Sequence, residues 1–130
     1  MKVRCIEVTG VHLLPNTIKL GYSIEADFEL KINDTYIVYG MSLWGGSLQY
    51  LIQVNDYNPS WFPAELFIVE KHKIPENWSF DFPLINNVNA IWGYKELVDG
   101  SNHYDDLLER EDEALRIFEK RKKEQLKFLE

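Results

Sequence analysis

Three carboxylates stand at alternate positions in one short stretch: Glu25, Asp27 and Glu29. On a strand they share one face about 7 Å apart, the rise over two residues. Two carboxylates at a suitable distance are the minimum that a glycosidase-like acid and base pair requires. The same ladder can hold a hard cation, dock a basic protein, or simply keep a sheet face wet. Lys31 is the only cation at the end of the run. In the register derived below, no cation lies opposite any of the three. The arrangement therefore favours recognition of positive charge over proton transfer.

A second set of candidates is aromatic. Trp44 falls at a hairpin tip, and Tyr57, Trp61 and Phe62 fall in the turn-rich segment NDYNPSWFP, with Asp56 and Asn58 beside them. Loop aromatics either fold back onto the core or anchor a ligand or partner. The expected contact surface is Glu25, Asp27, Glu29, Trp44, Asp56, Tyr57 and Trp61. Other chemistry finds little support. His12, His72 and His103 have no metal-ligand spacing. Cys5 lies in an apolar run with Val3 and Ile6 and lacks a His partner, so it reads as a buried thiol. Gly40, Gly45 and Gly46 precede a strand, whereas a phosphate cradle precedes a helix. Ser42 and Ser47 lack a nucleophile-elbow context. No catalytic residue, cofactor or metal is expected. The basic run Lys120, Arg121, Lys122 and Lys123 is flanked by Glu119 and Glu124 and reads as a solvated helix end.

The elements that must position these residues follow from hydrophobic period. Residues 2–8 alternate as a first strand, which 11–14 can continue. From Ser23, apolar Ile24, Ala26, Phe28, Leu30 and Ile32 alternate with charged residues, a period-two strand with one buried face. Asn33-Asp34 is a two-residue turn signal, and Gly45-Gly46 is a second. Together they predict a meander over 23–54. Leu30 pairs Ile37, Phe28 pairs Tyr39, Met41 pairs Tyr50, and Leu43 pairs Leu48. One inward face then holds Ile24, Phe28, Leu30, Ile37, Tyr39, Met41, Tyr50 and Ile52. The outer face carries Val38, Leu51 and Gln49, so another element covers part of it or it is a mixed recognition patch. Residues 55–63 read as a loop. Short strands follow at 66–69, around Trp78, Phe80 and Phe82, and at 90–94, with a loop at Asn86, Asn87 and Asn89. From His103 the period becomes helical through Tyr104, Leu107, Leu108, Ala114, Leu115 and Phe118. Ser101 or Asn102 can cap that helix, and its acidic first half and basic second half suit the helix dipole.

The fold class expected is α+β: a single domain over 1–130, with an antiparallel sheet of about 5–6 strands over 2–94. A C-terminal helix over about 103–125 covers the apolar face through Leu107, Leu108, Leu115 and Phe118. Its end, with Leu126, Phe128 and Leu129, can dock on the body or on a second copy as a homodimer. The net charge of −7 disfavours nucleic acid and suits a basic protein partner. One cysteine permits no intramolecular disulfide. No secretory h-region is visible and no run approaches the roughly 18 apolar residues of a membrane span. A reducing cytoplasm and no membrane partner are expected.

In general style, small, acidic, aromatic-rich and without catalytic residues, the chain is similar to the immunity proteins of bacterial toxin systems. That likeness rests on composition and carries over no residues. It implies an acidic face that neutralises a basic partner, with charge steering raising the association rate. Three functional expectations result. The first is a non-catalytic protein-binding module of that inhibitor kind. The second is a small-molecule-binding domain with a pocket between sheet and helix lined by Tyr39, Tyr50 and Phe28. The third is a hydrolase-type enzyme using Glu25, Asp27 or Glu29.

Overall fold

Gly45-Gly46 forms a tight hairpin in the computed structural model, which describes residues 1–83, 87–99 and 102–128, Phe128 in backbone alone. Both glycines have positive φ, 55° and 82°. That twist joins adjacent antiparallel strands and strains any residue with a Cβ. The turn links β3 (Gly40–Trp44) to β4 (Ser47–Ile52), with Leu43 opposite Leu48 and Met41 opposite Tyr50 as expected. The other strands are β1 (Lys2–Cys5), β2 (Thr35–Ile37), β5 (Ser60–Pro63), β6 (Phe67–Lys71), β7 (Ser79–Asp81) and β8 (Val88–Gly93). All named pairings are antiparallel, in a three-stranded sheet β2-β1-β6 and a five-stranded sheet β5-β4-β3-β8-β7. Helices α1 (Pro15–Ile18), α2 (Lys95–Val98), α3 (His103–Leu108) and α4 (Asp112–Phe128) complete the described elements. The class is α+β with antiparallel sheets, and the C-terminal helix is one of several.

The expected strand over 23–32 does not form. Thr35, Tyr36 and Ile37 pair with Arg4, Val3 and Lys2, so β1 takes the hydrogen bonds that an Asn33-Asp34 hairpin needs. Asn33 instead donates its N–H to the Cys5 carbonyl at 2.8 Å. Glu29 and Asn33 have φ of 57° and 73°, which no strand sustains. A single bridge, Thr9 to Asp27, ties this segment to the rest as paired backbone. Ile24 and Ile32 are 61% and 54% exposed, against the expected burial. Leu30 is buried and Phe28 half-buried without the strand. Residues 11–14 also leave the strand pattern, entering from a 3-10 turn at Gly10–His12 that Thr9 caps. Ser60–Pro63, expected as loop, is β5. β7 forms where expected, yet Phe80 and Phe82 are exposed.

Each face of the five-stranded sheet contributes to a core. Tyr50 and Ile52 enter one core with Val3, Cys5, Leu30, Val38 and Phe67. Leu51 enters another with Tyr39, Ile91, Leu97, Leu107 and Phe118. The expected single inward face is therefore split. Tyr39 and Met41 pack against different cores, because Tyr39 donates its N–H to the Leu51 carbonyl while Gly40 also lies opposite Leu51, and two residues against one reset the alternation. Gly40 and Gly93 are paired neighbours. A Cβ on either would come within 2.5 or 2.6 Å of Leu97 Cδ2, so α2 seats directly on bare backbone.

The helical region is broken at Arg110, whose φ is 61°. Beyond the break, Phe118 meets the Tyr39 ring edge-on at 5.2 Å. Gln125 Nε2 donates to the Val38 carbonyl at 2.9 Å and Lys122 Nζ donates to Gln53 Oε1 at 2.7 Å. Arg121 forks onto Glu96 at 2.8 and 3.0 Å. Leu107 and Phe118 are buried as expected and Leu115 partly so, whereas Leu108 is 53% exposed. The expected cap at Ser101, the loop residue Asn86 and the docking of Phe128 and Leu129 side chains lie outside the described residues. Among the described residues, no helix is long and apolar enough to cross a membrane.

Phe118→Ala is expected to cost about 3–5 kcal/mol in a urea titration, the range for truncating a buried aromatic. Leu108→Ala should cost under about 0.5 kcal/mol, as surface changes do. Equal losses would mean that α3 and α4 pack differently.

Candidate functional site

The helix-covered face of the five-stranded sheet is not covered completely. Alternation puts Ser42 of β3, Gln49 and Leu51 of β4, Trp61 of β5 and Ile91 of β8 on this one face, through the pairs Ser42–Gln49, Ser42–Ile91 and Leu51–Trp61. α2 has four residues and α3 has six, too little to span five strands. Beside them lies a cleft of about 850 Å³. Its walls are aromatic: Tyr22, Trp44, Trp61 and Tyr104. Trp61 and Tyr104 stack at 5.4 Å with their planes tilted by 34°. Gln49, Val88, Ile91 and Leu97 contribute to the lining, and Asp81, Asp105, Leu108 and Arg110 bring one exposed apolar and three charged side chains.

Polar groups at its base are unusual for a covered sheet face. Gln49 is only 2% exposed. Its Nε2 donates to Ser47 Oγ at 3.0 Å, and Ser47 Oγ lies 2.6 Å from Thr17 Oγ1. Gln49 Oε1 has no hydrogen-bond partner among the described residues. Ser42, directly opposite, is fully buried, and its hydroxyl faces Tyr104 without a well-formed hydrogen bond. A buried acceptor left unpaired costs about 1–3 kcal/mol, so two side by side are a real expense to the fold. Burial raises the Tyr104 phenol above its ordinary pKa, so it is a neutral hydroxyl at physiological pH.

The expected site residues separate into three groups. Trp44 and Trp61 come together in the cleft. Glu25, Asp27 and Glu29 are exposed but lie on an irregular segment, not a strand face; Asp27 Oδ1 accepts from the Glu29 N–H at 2.9 Å in a local turn. Asp56 and Tyr57 sit on an exposed turn, and the Tyr57 carbonyl accepts from Gln53. Neither group lines the cleft. Tyr39, Tyr50 and Phe28, expected to line one pocket, do not line this cleft, and Tyr39 belongs to a different core from the other two. Tyr39 packs on Phe118, Tyr50 on Phe67, and Phe28 on Tyr22. Burial, with Glu119 adding to it, pushes the Tyr39 phenol up to about 12. Tyr22, Gln49, Asp81, Tyr104 and Asp105 were not singled out by sequence as site residues. One signal was legible: Gln49 shares strand parity with apolar Leu51. No group of three or more potential metal ligands occurs among the described residues. Cys5 is buried, and burial raises its thiol pKa, which keeps it protonated and unreactive.

One wall of the cleft is held by a buried polar contact. His103 precedes Tyr104 on α3, and its Nε2 lies 2.5 Å from the Tyr94 hydroxyl. The imidazole tautomer decides which of the two atoms is the donor. Behind it, Arg121 holds the Glu96 carboxyl below the usual carboxylate range.

The chain matches no family model, no curated protein and no solved structure. The site's own geometry is therefore what bears on function.

Burial lowers the His103 pKa from its ordinary value of 6.5, and Glu96, Asp106 and Asp99 only partly oppose this. The unfolded chain thus takes up a proton near pH 6.5 that the folded chain refuses until lower pH. Stability from this group is complete above about pH 6.5 and is lost as pH falls toward the folded pKa. An NMR titration of the His103 ring should give a midpoint below 6.5. A midpoint above it would show that the carboxylates outweigh burial.

Proposed function

We propose that this protein acts by binding, and that its ligand is a small molecule held in the cleft between the five-stranded sheet and helices α2 and α3. The observation that carries the reading is the cleft itself: about 850 Å³, walled by two Trp and two Tyr. Small-molecule sites commonly span ~300–1,000 Å³, are mostly apolar, and hold a few convergent polar groups. Gln49 and the Asp81, Asp105 and Arg110 side chains supply those groups here. The free, buried Cys5 suits work in a reducing cytoplasm.

The test is a metabolite screen by thermal shift and tryptophan fluorescence. A true ligand perturbs Trp44 and Trp61 emission, and its affinity falls at least tenfold in Trp61→Ala. Because that change also touches the core, Leu108→Trp is the companion variant. Leu108 is exposed, so the larger ring obstructs the cleft without altering packing beneath it. Ligands that bind Leu108→Trp and wild type equally would overturn the reading.

A second reading keeps the inhibitor-type module of bacterial immunity proteins, acting on a basic protein. Its support is that Glu25, Asp27 and Glu29 are exposed and form no ion pair among the described residues. Reversal of all three to Lys should slow association with such a partner at low salt, with the difference shrinking as salt rises. An unchanged rate at low salt would remove this segment from consideration.

A further inference from the structure

We propose that the cleft selects a small organic cation with an apolar body, such as a quaternary ammonium compound. The inference rests on the reading of the cleft as the binding site and adds the ligand's charge. Four aromatic side chains line it from four separate parts of the chain: Tyr22 before the irregular segment, Trp44 at the end of β3, Trp61 on β5 and Tyr104 on α3, the last two stacked on each other. The negative face of an aromatic ring attracts a cation, most strongly where water is partly excluded.

The charges around these rings point the same way. Asp81 and Asp105 stand against one cation, Arg110, and no lysine lines the cleft among the described residues. Neither carboxylate forms an ion pair among the described residues. Asp81 accepts from the neighbouring Phe82 N–H at 2.8 Å, which holds its carboxylate in place. Beneath the base, the buried Gln49 carbonyl oxygen has no hydrogen-bond partner among the described residues, and its dipole adds to the attraction for positive charge. The net charge of −7 adds a long-range field that draws cations and repels anions. An anionic ligand gains one guanidinium and meets two carboxylates and four aromatic side chains.

The experiment titrates the full chain with benzyltrimethylammonium and with benzyl alcohol, and choline with its uncharged carbon isostere 3,3-dimethylbutan-1-ol. Tryptophan fluorescence and the indole N–H signals of Trp44 and Trp61 report binding. Each cation should bind at least tenfold tighter than its neutral counterpart. Asp81→Asn with Asp105→Asn should weaken the cations about tenfold and leave neutral compounds unchanged. Asp81 and Asp105 are exposed, so both substitutions leave the core intact. Equal binding of cation and isostere, or of cations to wild type and the double variant, would overturn the charge assignment while leaving the cleft as a site. So would anionic or neutral compounds being the only ones lost in Leu108→Trp. If compounds of no class bind in the cleft, the underlying reading fails as well.

Discussion

Everything in this molecule follows from a strand that cannot leave either side in water. Along β4, Gln49, Tyr50, Leu51 and Ile52 are all buried in succession. Successive strand residues point to opposite faces, so β4 demands two covers. The three-stranded sheet and the irregular segment supply one, through Val3, Leu30 and Phe67. The helices supply the other, through Leu97, Leu107 and Phe118. Burying apolar area at roughly 25 cal/mol per Å² is the dominant favourable term, and here it is spent on both faces. Polar contacts then fix the geometry. Gln125 on the Val38 carbonyl and the Arg121–Glu96 fork determine where α4 lies, not whether it docks.

The cleft is a consequence of how the second cover is made. Long α4 approaches the Tyr39 end of the sheet, while α2 sits on the Gly40–Gly93 pair. Because two glycines face it, α2 comes close and leaves the neighbouring region of the sheet for α3 to cover. α3 stops after Leu108, at the turn that Arg110 makes with positive φ. The aromatic side chains line the remaining space without filling it. Tyr104, half of the stacked pair with Trp61, depends on α3 keeping its place, and the buried Tyr94–His103 contact on the preceding residue holds it there.

How much of this the sequence disclosed depended on whether the signal was local. Gly45-Gly46 specifies its own turn, and the register of β3 and β4 followed from it alone. The same logic failed at Asn33-Asp34. Its period-two flank over 23–32 is as regular as any strand, yet the N–H and carbonyl groups of 35–37 could pair with β1, some thirty residues away in sequence. Local alternation does not reveal that competition. The break at Arg110 was hidden for a different reason: Leu107, Ala114 and Phe118 keep helical spacing through it, so the apolar stripe reads as continuous. Trp44 and Trp61 were recognised as candidates because they are aromatic and close to turns. Tyr104 was assigned to the core stripe, and half of it is: it packs on the second core while lining the cleft. The acidic residues of 25–29 drew attention through their spacing, which lost its meaning once the strand was absent.

Ser42 and Gln49 make the strongest physical case that this face is more than scaffold. A helix-covered sheet face is most stable when its inward positions are apolar, as Leu51 and Ile91 are. Ser42 and Gln49 sit directly opposite one another amid such residues and are as thoroughly buried. Each has an oxygen without a hydrogen-bond partner among the described residues. Replacing both by apolar side chains of similar volume would remove two desolvation penalties at once. Gln49 is not a casual occupant either, because Thr17 and Ser47 form a hydrogen-bonded chain that holds its amide nitrogen and turns the oxygen away from them. Sequences depart from the stablest choice chiefly where a site requires it. The departure here occurs beneath the cleft that Tyr22, Trp44, Trp61 and Tyr104 line, which is where the proposed ligand would sit.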